Sequence, residues 1–282
     1  MRDYKESKWA KRIIETQKAD GSFGYFHTLS EPKKFPLTTE QALRRLEILG
    51  YTIEDQVIKK AVNYMEKCLT RELDIPDYKE KHDHWEIFVD LMLATWINRF
   101  TDKSENANRV KEKWARITTK TFMSGKYSLD DFSKAYFEEF GIYNKKTIIY
   151  VMSRFYNVSL MCNTLDEKTE ELFFDYVLNN ENGVYYVYSS KLSIPPQDFR
   201  KKDTSRYLAG IEMLSKYHRN KHKLSFVVDW LNKNRLDESS WDMGSSIKDG
   251  IYMPLSDDWR KTVNRVTDCT YRIKRLIKEI EE

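Results

Sequence analysis

Two kinds of apolar pattern alternate along this chain. In the first, apolar residues recur every three or four positions with charges between them, as in Val57, Ala61, Tyr64 and Cys68 around Lys59, Lys60 and Glu66, and again in Val110, Trp114 and Ile117. That period lays one apolar stripe along a helix and leaves its other faces to water. In the second kind the apolar residues run all round. From Trp85 through Phe88, Val89, Leu91, Met92, Leu93, Ala94, Trp96 and Ile97 only Glu86, Asp90 and Thr95 interrupt, which predicts a helix packed on every side. The stretch from Thr147 to Leu160, with Ile148, Ile149, Val151, Met152, Phe155 and Val158, has the same character. It is assigned to helix on its length and its place in the alternation.

Punctuation marks the ends of these elements. Thr38 followed by Gln41 is a capping box, Gly50 a stop, Ser128 with Asp131 a cap, and Gly141 another stop. Asp203 and Thr204 are expected to cap a helix through Leu208, Ile211 and Leu214. Predicted helices fall at 5–18, 105–121, 167–179, 222–234 and 257–280, besides those already named, and Val184 to Tyr188 reads as a brief extended piece. Outer, two-faced helices thus take turns with inner, apolar ones. No linker or composition break interrupts them, so residues 1–282 are expected to form a single all-α domain. Stacked hairpins of this kind close, after about five or six, into an α/α toroid around a central cavity. The loops before the inner helices would form its mouth, so the polar and aromatic residues there, His82, Asp83, His84, Trp85 and Asp203, become candidate ligand contacts.

A repeat supports the ring. Gln17-Lys18-Ala19-Asp20-Gly21-Ser22-Phe23-Gly24 leads into Thr38-Thr39-Glu40-Gln41-Ala42-Leu43, and a looser copy, Leu236-Asp237-Glu238-Ser239-Ser240-Trp241-Asp242-Met243-Gly244, follows the helix of Val227, Val228, Trp230 and Leu231. These residues resemble the repeat of the α/α-toroid superfamily, which includes squalene-hopene-type terpenoid cyclases and protein prenyltransferase β subunits. The resemblance implies a ring of helical hairpins and an isoprenoid-like ligand. The protonating cyclases carry Asp-X-Asp-Asp and the ionising synthases Asp-Asp-X-X-Asp. Here Asp130-Asp131 and Asp257-Asp258 complete neither pattern. The prenyltransferase zinc site of Asp, Cys and His finds no match at Cys68, Cys162 or Cys269, so neither a metal nor a cofactor is expected.

Charge narrows the partners. The 48 basic and 44 acidic residues are interleaved, giving +4 overall, whereas a nucleic-acid binder would gather its positive charge on one stripe. No apolar run reaches the length of a membrane span, and Met1-Arg2-Asp3-Tyr4-Lys5 carries no export signal. With three scattered cysteines read as free thiols, the expectation is a cytoplasmic protein.

Two clusters invite chemistry. His82-Asp83-His84 suggests a metal but has no third ligand nearby, and Asp83 serves equally as a helix cap. On the last helix Arg265, Asp268 and Arg272 share a face, flanked by Trp259. Such a row is either a bidentate clamp for a carboxylate or phosphate or an internal ion network. Trp241, with Phe23, Phe35, Tyr185 and Tyr186, completes the aromatic candidates for a cavity wall. The leading expectation is a prenyltransferase- or cyclase-like toroid that binds a small or extended ligand in its cavity, catalysis being unsupported by motif. The alternatives are a carbohydrate-active α/α barrel using carboxylates at the loop mouths and a protein-binding scaffold.

Overall fold

The computed structural model describes residues 4–27, 37–79, 84–144 and 151–282, and among these the chain is all-helical, with eleven α-helices and no strand. Its contacts gather into two compact units, Met1–Lys113 with Asn144–Ile149, and Trp114–Tyr143 with Tyr150–Glu282. The first holds α1 (Lys8–Ile14), α2 (Thr39–Ile48), α3 (Gln56–Leu69), α4 (Trp85–Phe100) and the start of α5 (Glu105–Thr121). The second holds the rest of α5, then α6 (Leu129–Phe140), α7 (Phe155–Leu160), α8 (Glu167–Asn179), α9 (Thr204–Leu214), α10 (Ser225–Lys233) and α11 (Thr262–Glu281). No helix among the described residues is long and apolar enough to cross a membrane.

In the first unit α4 packs along α3, and every residue from Leu91 to Ile97 is buried, as its all-round apolar pattern predicts. The Thr95 hydroxyl there donates to the Leu91 carbonyl and so stays paired. The Trp96 indole Nε1 donates to buried Glu40 at 3.3 Å, and the guanidiniums of Arg44 and Arg99 stand 5.7 and 5.6 Å from its ring. The Thr38 capping box forms in both directions.

The two corners of the repeat fold alike. In the first, the Lys18 amide donates to the Ser22 carbonyl, Asp20 accepts from the Ser22 amide, and the Phe23 amide donates to the Thr39 hydroxyl. In the second, the Leu236 amide donates to the Ser240 carbonyl, Asp237 accepts from the Ser239 amide, and the Trp241 amide donates to the Thr270 hydroxyl. Each corner is therefore a short loop closed on itself, followed by a buried aromatic whose N–H is tied to a threonine of the next helix. The Gln17 carboxamide adds a tie in the first corner, donating to the carbonyls of Gly21 and Val57. Gly21 has φ +98°, and a Cβ there would stand 2.3 Å from the Lys60 carbonyl oxygen. Gly21→Val is accordingly expected to lower stability by at least about 2 kcal/mol, through both backbone strain and overpacking. An unchanged urea midpoint would show that this corner is free to shift.

Several sequence expectations are corrected. The helix expected over 5–18 is a single 3₁₀ turn, Tyr4–Glu6, followed by the short α1, because Ser7 caps a new helix by accepting from the Ala10 amide. The helix expected over 147–160 lies partly outside the described residues, and the remainder begins only at Phe155. Before it come a 3₁₀ turn, Val151–Ser153, and extended Arg154, where the Phe155 amide donates to the Tyr185 carbonyl and the Tyr185 amide to the Ser153 carbonyl. Asp203 occupies the position before α9, but its carboxylate makes no capping bond. The last helix starts at Thr262, leaving Trp259 in the turn before it.

Candidate functional site

The polar row of α11 comes together as the periodicity implies, and each member already has a partner within the chain. Arg265 Nε and Nη2 donate to the Asp242 carboxylate at 2.7 and 2.8 Å, a bidentate tie from α11 to the second corner. That bond holds the Asp242 carboxyl below the usual carboxylate range. One oxygen of buried Asp268 accepts from the Leu255 amide, the Ser256 amide and hydroxyl, and the Trp259 indole, at 2.6–3.0 Å. Arg272 reaches the Glu212 carboxylate twice, at 2.6 and 2.9 Å, and the hydroxyl and carbonyl of Ser205, each at 2.8 Å. The Ser205 hydroxyl donates in turn to Asp249, whose other oxygen accepts from the amides of Ile251, Tyr252 and Met253. The row thus fastens α9, the corner and the 249–259 loop to α11, and no free fork remains for an anion. Trp241 and Trp259 belong to the same work. Both are buried, and the Trp241 indole donates to the Leu231 carbonyl.

A groove of about 400 Å³ does open beside Trp241, between Arg235 and Glu238 of the corner and Lys274, Ile277 and Lys278 of α11. Its walls carry both signs of charge, and Trp241 lies beneath Arg235, 5.4 Å from its ring. It is a charged surface furrow, unlike the aromatic-lined cavity the sequence suggests.

In the first unit the loops before α2 and α4 do converge. The amides of Phe26 and His27 both donate to the Asp77 carboxylate at 2.6 Å, and the buried His27 ring meets Phe88 edge-on at 5.3 Å. Trp85 leans on Phe88 at 6.0 Å, half-buried, and His84 precedes α4 without a side-chain cap. His82, Asp83 and Phe35 lie outside the described residues. Among the described residues no three His, Cys, Asp or Glu side chains are grouped as a metal site would need. The paired aspartates are placed otherwise: Asp130 and Asp131 are in the first turn of α6 capped by Ser128, and Asp257 and Asp258 precede α11, where the hydrogen bond from Arg260 holds the Asp258 carboxyl low. A carboxyl that protonates an alkene needs the opposite, a raised value.

The second unit holds an arrangement of another kind. The chain from Val184 to Tyr188 makes a tight turn, each end donating its amide to the other's carbonyl. Gly183 permits it: a Cβ there would lie 2.3 Å from the Tyr188 carbonyl oxygen. Tyr186 takes φ +74°, a conformation that a bulky residue adopts under strain. Its ring touches Tyr185 at 4.2 Å and Tyr156 of α7 at 5.8 Å, while Tyr188 meets Tyr207 of α9 edge-on at 5.6 Å and Trp230 meets Tyr207 at 5.4 Å. One turn therefore reaches both α7 and α9, which pack on each other.

Two wholly buried polar side chains on these two helices lack partners. Neither Oδ1 nor Nδ2 of Asn157 makes a hydrogen bond, nor does the Tyr207 hydroxyl. Each such group left unpaired costs about 1–3 kcal/mol, and buried polar groups are otherwise almost always satisfied. Burial, reinforced by Tyr188, pushes the Tyr207 phenol well above its usual range, so it stays a neutral hydroxyl. The sequence pattern points to Tyr185 and Tyr186 but to neither Asn157 nor Tyr207. The pattern carries little signal for Asn157, which is one of several polar residues, with Ser153, Arg154 and Ser159, in this largely apolar stretch. The chain matches no known protein family, no curated protein and no solved structure.

Proposed function

We propose that this chain is a helical-hairpin protein of the α/α-toroid kind that binds a small or extended, isoprenoid-like molecule against the tyrosines of its second unit. Binding is favoured over catalysis because the acidic and basic groups of the α11 row are spent on holding the fold together. The toroid reading draws support from two corners that share one hydrogen-bond scheme. The observation that carries the binding reading is the pair of orphaned polar groups, Asn157 and Tyr207, set among aromatic rings. A site of this composition, mostly apolar with a few placed polar groups, is the usual form of a small-molecule pocket.

Titrating the protein with prenyl compounds while following tryptophan fluorescence tests the proposal. Saturable quenching is expected, and it should shrink in Trp230→Phe, because Trp230 lies against Tyr207. No response to prenyl compounds of any head group would overturn it. A response to soluble oligosaccharides instead would favour the carbohydrate reading, for which the exposed Tyr185 ring offers a stacking face.

A further inference from the structure

We infer that Asn182 is a site of spontaneous deamidation, held in check by the turn that follows it. It is the one asparagine of the chain followed by glycine, and a glycine nitrogen, with no side chain beside it, is the least hindered nucleophile a backbone offers. Once deprotonated, the Gly183 nitrogen attacks the Asn182 carboxamide carbon and expels ammonia, closing a five-membered succinimide. Water then opens that ring at either carbonyl. One product is aspartate at 182, and the other is isoaspartate, in which the chain runs on through the former side chain. The turn requires this glycine: Gly183 has φ +59°, and a Cβ there would stand 2.3 and 2.4 Å from the Tyr188 and Ser190 carbonyl oxygens. The residue that lets the turn form is thus the one that makes its neighbour labile. The Asn182 carboxamide itself is exposed and bonds to none of the described residues. The guard lies in the backbone, where the Gly183 amide donates to the Asn180 carbonyl at 2.9 Å and the Asn182 amide to Asn180 Oδ1 at 2.8 Å. An N–H held in this way keeps its proton, and the bond cannot rotate toward ring closure until the turn opens. Isoaspartate adds one carbon to the backbone, about 1.5 Å, beneath two carbonyls that leave no room for a methyl group. The altered chain therefore loses the turn, and with it the bonds that Tyr185 makes to Ser153 and Phe155.

Incubating the full chain in warm, mildly alkaline buffer, with and without concentrated urea, and following the peptide around Asn182 by mass spectrometry tests this. In urea Asn182 is expected to be the first asparagine converted to the acid. In the folded chain the conversion should be at least about tenfold slower, and hydrogen exchange at the Gly183 amide should be protected by a similar factor, since both need the same opening. Asn182→Gln, whose ring would be six-membered, should abolish the product at 182 without moving the melting temperature, because the side chain is exposed. Folded chain that has gone to isoaspartate should lose exchange protection at the Tyr185 amide, which otherwise donates to the Ser153 carbonyl. Equal rates with and without urea would show that the turn is no guard. Survival of Asn182 in urea while other asparagines convert would show that the bond is not labile, and a Gly183 amide that exchanges freely beside an intact Asn182 would break the link between opening and reaction. Any of these three results overturns the inference.

Discussion

Asp268→Ala is expected to lower the unfolding free energy by about 3–5 kcal/mol, the range for breaking a buried charged network from one side. A single buried carboxylate oxygen accepts four hydrogen bonds, from two consecutive backbone amides, a serine hydroxyl and an indole. Removing it strands two amides that the 255–256 backbone cannot turn elsewhere, since Leu255 and Ser256 are themselves buried. The Trp259 indole loses its acceptor as well, and with it the reason to stay beneath the start of α11. Asp268→Asn separates charge from geometry. It keeps one acceptor oxygen but brings an NH₂ among four donors, so it should recover only part of the loss. Urea unfolding followed by circular dichroism measures both. A loss below about 1 kcal/mol for Asp268→Ala would mean that the 255–259 loop swings out to water at little cost.

The sequence pattern locates the helices better than it assigns their polar faces. The limits of α5 and α8 coincide with those expected from periodicity, and α6 lies between its Ser128 cap and Gly141, which is left-handed as a stop residue should be. These signals are local, and local chemistry decides them. The 147–160 expectation holds from Phe155 to Leu160 and departs over 151–154 for the converse reason. Tyr185, thirty residues downstream, trades backbone hydrogen bonds with Ser153 and Phe155, and a partner that distant leaves no mark on the periodicity of α7. The α11 row is legible as a row, because spacings of three and four fix a shared face. Whether its forks point at a ligand or at Asp242, the 255–259 loop and Glu212 depends on which loops fold back over that face. Glu212 is sixty residues from Arg272, and nothing in either neighbourhood links them. Asn157 is not singled out by the sequence pattern, and its lack of a hydrogen-bond partner is a property of packing alone.

Arg272 tests that distinction most directly. Were it the clamp for an anion, Arg272→Ala would remove binding and leave the fold intact. The structure points the other way: its guanidinium joins Glu212 and Ser205 of α9 to α11 and lies 5.4 Å from the Tyr252 ring. Arg272→Ala is therefore expected to cost about 2–4 kcal/mol, from the cavity left by a buried side chain and the lost hydrogen bonds between α9 and α11. Glu212→Ala should cost as much or more, about 3–5 kcal/mol, because the two partners are unequally placed. Glu212 keeps about a third of its side chain in water and can be rehydrated when alone, whereas Arg272 is buried and would be left as an uncompensated charge. Replacing both at once, Arg272→Met with Glu212→Leu, removes the charge and fills the space, so the double variant should be more stable than Glu212→Ala. Melting temperatures order the three. An Arg272→Ala protein that melts like the wild type but no longer binds an anion would return the row to the clamp reading and displace the tyrosine turn as the proposed binding site.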